Sequence, residues 1–207
     1  MLGAEYRHIR MAGAPDALPL VRAAFPDAEV VVHERLCPLE IATKPIRLSA
    51  VPERAAVVAF SRRAVYHVAG LLRRAGRRPA VLYGAMPPEV RRHEVARFVA
   101  GEADVVVATD VIGHGINLPV AAVIFAETEK FDGVSRRELS AWEVAQIAGR
   151  AGRFGLEPSG IAAALTGVFG PVGSPQDGHQ GGHSDRRCRQ RCARLPEHSL
   201  RQARPEP

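Results

Sequence analysis

Short apolar runs alternate along this chain with longer stretches in which apolar residues recur every three or four positions. Residues 55–60 (AAVVAF), 79–84 (PAVLYG), 104–109 (DVVVAT) and 121–127 (AAVIFAE) are nearly unbroken apolar runs of strand length. Residues 29–34 (EVVVHE) form a shorter β-branched run, and residues 160–165 (GIAAAL) a last one. Each predicts a strand, and runs without polar alternation predict strands covered on both faces. Between them, in residues 61–76 (SRRAVYHVAGLLRRAG), Val65, Val68, Leu71 and Leu72 fall at helical spacing and Gly76 supplies a stop. Residues 87–101 (PPEVRRHEVARFVAG) open with prolines, which a first helical turn tolerates. Residues 139–153 (LSAWEVAQIAGRAGR) predict a third helix, with Trp142 anchoring it in the core. The alternation predicts an α/β fold: a parallel sheet of five or six strands with helices on both faces. No internal repeat is present.

The pattern stops near Phe169. Residues 170–207 are rich in Arg, Pro, Gly, Gln and His, with seven arginines against four acidic residues, and predict a disordered tail. The organisation expected is therefore residues 1–50 as a linker or edge region, residues 51–169 as the folded domain and residues 170–207 as tail. The break in composition is abrupt enough to suggest that the tail is read in a shifted frame, with a natural disordered tail as the other reading.

The chain has 207 residues and a net charge of +6. Its only lysines are Lys44 and Lys130, so the basic charge is nearly all arginine, the side chain that suits bidentate phosphate contacts. GC-rich coding would produce the same bias. Three cysteines make no disulfide framework and point to a reducing, cytoplasmic compartment. No run approaches the ~20 apolar residues that span a membrane.

Two stretches carry candidate chemistry. In residues 146–155 (QIAGRAGRFG), Gln146, Arg150 and Arg153 are spaced i, i+4, i+7, which would put them on one helical face. Gly149 and Gly152 between them leave room for a phosphate or another backbone. Arginines so presented suit the charge of a transferring phosphoryl group, though a solvated basic helix would have the same spacing. Residues 105–119 (VVVATDVIGHGINLP) run a buried strand into Thr109, Asp110, Gly113, Gly115 and Asn117, at the strand end where α/β sheets bind ligands. This is not the dinucleotide fingerprint, because Leu118 stands where a glycine or alanine is needed. An ordinary strand-to-helix turn would account for it equally well on its own.

Taken together, residues 57–66 (VVAFSRRAVY), 80–91 (AVLYGAMPPEVR), 105–119 and 146–155 resemble, in order and spacing, motifs IV, IVa, V and VI of the second RecA-like domain of superfamily 2 helicases. Within these, GHGINLP at 113–119, KFDG at 130–133 and QIAGRAGRFG resemble the Suv3-type ATP-dependent RNA helicases, as do the upstream AGAPDALPLV and ERLCPLE. The resemblance runs over roughly residues 10–167. It implies that Gln146, Arg150 and Arg153 face the ATP γ-phosphate across a cleft between two RecA-like domains, with Gly149 beside them. It implies that Thr109 contacts the nucleic-acid backbone and that Asp110 and Gly115 couple RNA to the nucleotide. Ser61 and Arg62 match motif IV, and Tyr83, Gly84 and Arg91 match residues near the RNA backbone. Residue types alone do not separate RNA from DNA; the resemblance favours RNA.

The helicases resembled also need a phosphate-cradling loop ending in Gly-Lys-Ser/Thr and an Asp-Glu motif that holds Mg²⁺. This chain contains no Gly-Lys and no Asp-Glu pair. The expectation is that both belong to a first RecA-like domain preceding residue 1, that ATP and Mg²⁺ are bound only with that domain, and that the chain alone does not hydrolyse ATP. His179, His183, Cys188 and Cys192 match no standard zinc pattern, and no metal site is expected. His114 is expected to line the site rather than act as a base.

Overall fold

The structure, a computed structural model, describes residues 7–13, 15–33, 35, 37–113, 116, 118–152 and 159–168. Two compact units divide at Glu34 and Arg35. In the first, a 3-10 turn (Pro15–Ala17) leads into α1 (Leu18–Ala24). Residues 29–33, expected as a strand, have no regular structure, and Val31 and Val32 are exposed. Three β-branched residues favour extended backbone but form no strand without a partner to pair its N–H and C=O groups.

The second unit is an α/β domain. In chain order its elements are β1 (Leu39–Ile41), β2 (Ile46–Arg47), β3 (Ala55–Val58), α2 (Arg62–Arg74), β4 (Pro79–Leu82), α3 (Pro88–Val99), β5 (Val105–Ala108), β6 (Ala122–Phe125), β7 (Glu129–Phe131), β8 (Arg136–Glu138), α4 (Ala141–Ala148) and β9 (Gly160–Thr166). The main sheet has seven strands, in the order β1-β9-β6-β3-β5-β4, with β2 also paired to β9. Every pairing in it is parallel. Two of its strands, β1 and β2, come from within residues 1–50.

The four unbroken apolar runs became β3, β4, β5 and β6, and all sixteen of their residues are buried. Parallel strands need crossover connections. Because β5 lies between β3 and β4, the chain passes outward through α2 and returns through α3, and right-handed crossovers set these two helices on opposite faces. Ser61 caps α2, its Oγ accepting from Ala64 N at 3.0 Å, and Val65, Val68 and Leu72 bury the inner face.

The third expected helix is shorter than its pattern. It ends at Ala148, with Gly149 as its C-cap. Trp142 is 64% exposed, not a core anchor. The Ser140–Glu143 capping box orients α4 so that Glu143 and Ile147, one turn apart, face inward and Trp142 does not. Between β6 and α4 the charged strands β7 and β8 make a small antiparallel hairpin.

Candidate nucleotide and nucleic-acid interface

Since β6, β3, β5 and β4 are parallel neighbours, their carboxyl ends lie side by side, and the residues that follow them share one rim of the sheet. From β3 come Ser61 and Arg62, from β4 Tyr83 and Gly84, from β5 Thr109 and Asp110, and from β6 Glu127. A rim of this kind is where open parallel sheets bind ligands.

On the β4 side, the Arg62 guanidinium lies over the Tyr83 ring, 5.1 Å from its centroid, and 5.9 Å from that of Tyr66. Tyr66 donates to the Tyr83 hydroxyl at 3.3 Å. The structure thus joins Arg62 to Tyr83 in one aromatic–cation cluster. Arg91, on α3, folds back: its Nη2 donates to the carbonyls of Gly84 at 2.7 Å and Met86 at 3.2 Å. Arg91 therefore shapes the turn after β4, and its Nε is buried without a hydrogen-bond partner. Gly84 is exposed, with open space where a Cβ would stand.

At the end of β5, Thr109 N donates to Leu82 O at 3.0 Å, tying the strand end to β4. Asp110 opens a 3-10 turn (Asp110–Gly113) against which α4 packs. That packing brings the helix bearing Gln146 to the end of β5. Gln146 and Arg150 are both half-buried. They do not share a continuous helical face, because α4 stops between them. Arg150 lies instead in a turn, its N–H donating to Ile147 O at 3.1 Å. Arg153, Gly115, His114 and Asn117 lie outside the described residues, as do residues 170–207 with His179, His183, Cys188 and Cys192.

Three charged residues escaped the sequence reading. Glu127 Oε2 accepts from Phe60 N at 2.7 Å, where β3 meets the turn into α2. Glu143 is the one charged residue buried in the core among the described residues, and it is encircled by Ser140, Lys130 and Arg137. Arg35 reaches across to the backbone on both sides of Arg150. For Glu143 a signal existed, the Ser140-x-x-Glu143 capping box. Arg35 lies in ERLCPLE, which the resemblance covers, but nothing local pointed to its partners, 114 and 116 residues away.

Among the described residues no group of three or more His, Cys, Asp or Glu is arranged to hold a metal ion. The Gln146 amide and the Arg150 guanidinium are, by contrast, donors suited to phosphate oxygens. No helix among the described residues is long and apolar enough to cross a membrane.

A parallel sheet in this strand order, flanked by crossover helices, defines a RecA-like domain. The structure of S. cerevisiae Dbp5 bound to RNA and ADP BeF3 shares this fold, with a TM-score of 0.53 at 16% identity over 75% of this chain and 43% of that one. Residues 27–155 match the helicase conserved C-terminal domain, and the chain belongs to that family. It is 38% identical over 162 residues to the DExH-box ATP-dependent RNA helicase DExH16, mitochondrial, of Arabidopsis thaliana, covering 74% of this chain and 28% of that protein. With the ATP-dependent RNA helicase SUV3, mitochondrial, of Oryza sativa subsp. japonica it is 38% identical over 181 residues, covering 83% of this chain and 31% of that protein. The chain thus spans less than a third of the length of these two curated relatives.

Proposed function

We propose that this chain is the C-terminal motor domain of an ATP-dependent RNA helicase, working against a first RecA-like domain that supplies the phosphate loop and the Mg²⁺-holding carboxylates. The observation that carries the reading is the shared rim: Ser61, Arg62, Tyr83, Gly84, Thr109 and Asp110 lie along it, and α4, the helix that bears Gln146, packs against the turn that Asp110 opens. Arg150 and Gln146, with Arg153 after them, donate hydrogen bonds to the γ-phosphate oxygens when the two domains close. Gly149, the C-cap of α4, lies beside the nucleotide, and Asp110 and Gly115 link the nucleotide to the RNA contacts. Ser61, Arg62 and Thr109 hold the RNA backbone. Tyr83, Gly84 and Arg91 shape the rim beside it. Support comes from the family, from the two relatives' names as ATP-dependent RNA helicases, and from the donor character of the rim. The chain carries no Gly-Lys or Asp-Glu pair of its own.

The test is ATP turnover by the chain alone and by the chain joined behind the first RecA-like domain of a Suv3-type relative, each with and without single-stranded RNA. RNA-stimulated turnover only in the joined protein is expected. RNA binding that ignores nucleotide in both forms would instead mark a non-catalytic nucleic-acid-binding module, and no binding beyond that of any basic chain would mark a non-functional remnant.

A further inference from the structure

The turn that carries Arg150 is held from two sides. On one side is backbone packing. Ala151 bridges Val120, Gly152 N donates to Val120 O at 2.9 Å, and Gly152 has φ +73°. A Cβ on Gly152 would stand 2.7 Å from Gly160 N, and one on Gly160 would overlap the Ala151 carbonyl. The β9 backbone therefore presses directly on the turn. On the other side is the side chain of Arg35. It donates from Nη1 to Gly149 O at 2.9 Å and from Nη2 to Ala151 O, while its Nε donates to Cys37 O at 2.6 Å.

The two carbonyls that Arg35 grips flank Arg150. Both lie just past the end of α4, where helix carbonyls lack intrahelical partners and a cation is favoured by the helix dipole. Guanidinium geometry matters here. A planar fork satisfies two carbonyls at once and fixes their relative orientation, which a single ammonium does not. Partial desolvation pulls the Arg35 guanidinium somewhat below the usual arginine range, against the opposing influence of Cys37, but it stays charged at any physiological pH.

We infer that Arg35 is a positioning residue for Arg150: by clamping the carbonyls on either side, it aims the Arg150 guanidinium at the phosphate that the motor hydrolyses. This rests on the reading of Arg150 given above. It goes beyond that reading because Arg35 lies outside motifs IV to VI and acts on the backbone of the Arg150 turn. A charge-bearing finger is effective only if its position is set before the reaction, so that no reorganisation is needed as charge develops. Arg35 sets the backbone from which that finger leaves.

Two measurements test it together. In the complete chain, Arg35→Ala is expected to speed amide hydrogen exchange at least tenfold at Gly149, Arg150 and Gly152 while leaving Val57, Val107 and Ile124 unchanged. Arg35→Lys, which keeps the charge without the fork, is expected to restore part of that protection. Unchanged exchange at the turn, or a rise spread equally over the sheet, overturns the inference. In the chain joined to a first RecA-like domain, Arg35→Ala is expected to lower kcat for ATP at least tenfold with KM within twofold. Arg150→Ala should lower kcat further, by about a thousandfold or more, and the double variant should be no worse than the Arg150 variant alone. If Arg150→Ala leaves kcat unchanged, the role of Arg150 is what fails, and the exchange data still judge the clamp. If Arg150→Ala lowers kcat and Arg35→Ala does not, the positioning role falls.

Discussion

Glu143 and Arg137 meet in a two-pronged ion pair, Nη1 and Nη2 of Arg137 each lying 2.9 Å from a different carboxylate oxygen. Ser140 adds donations from N and Oγ at 2.8 Å, and Lys130 closes on the other side. One carboxylate, 6% exposed, therefore joins the β7–β8 hairpin to the start of α4. The Arg137 hydrogen bonds, helped by those from Lys130 and Ser140, hold the Glu143 carboxyl far below the usual carboxylate range despite its burial. Folding thus favours the ionised form.

Because the folded-state value is depressed, the stabilisation is complete above the unfolded value of about 4.3 and is lost progressively as pH falls below it. Glu143→Gln is expected to cost roughly 2–3 kcal/mol at pH 7, the scale of charged hydrogen bonds left half-made. The gap between wild type and variant should narrow in acid. Urea unfolding followed by circular dichroism at pH 7, 5 and 3 measures it, and a gap independent of pH would show that the network contributes nothing through ionisation.

The two glycines where β9 meets the Arg150 turn make a sharper demand. Gly160→Ala is expected to destabilise by about 1–3 kcal/mol, the range for forcing atoms into a packed site. Gly84→Ala, which meets open space, should change stability by less than about 0.5 kcal/mol. Thermal unfolding of both variants gives the comparison, and equal effects would refute the close approach of the two segments.

RNA binding should depend on salt as phosphate contacts do. Arg62→Ala is expected to weaken single-stranded RNA of any sequence to a similar degree. It should also make the slope of log K against log salt shallower by about 0.7, the share of one neutralised phosphate on a single strand. Fluorescence anisotropy across a salt series reads both. Weakening confined to particular sequences would mean that Arg62 touches bases rather than backbone.

How much of this was legible in the sequence depended on how local each cause is. Strands β3 to β6 could be read directly, because a strand buried on both faces is apolar at every position. Helix α2 followed from 3.6-residue spacing and its glycine stop, and α3 from the prolines that open its segment. The pattern at 139–153 misled, since the helix ends at Ala148 with Gly149 as its C-cap, before Arg150, and a count of positions alone runs through that end. Trp142 misled for a related reason: the capping box decides which face turns inward, and a large aromatic does not. Strands β7 and β8, EKF and RRE, are too short and too charged to show alternation, and the Glu143 carboxylate that pairs with their Lys130 and Arg137 comes from outside the hairpin. The partners of Arg35 were beyond reach, because only the assembled sheet brings residues so distant in sequence to the two ends of one turn.

The most direct measurement is RNA-stimulated ATP turnover by the chain joined to a first RecA-like domain, compared with the same protein bearing Arg150→Ala and with the chain alone. Turnover is expected in the joined protein, with a fall of about a thousandfold or more in kcat on removing Arg150, the range by which such arginines act, and none is expected from the chain alone. Turnover indifferent to Arg150, or turnover by the chain alone, would contradict the claim that this domain completes an ATP site it does not itself contain.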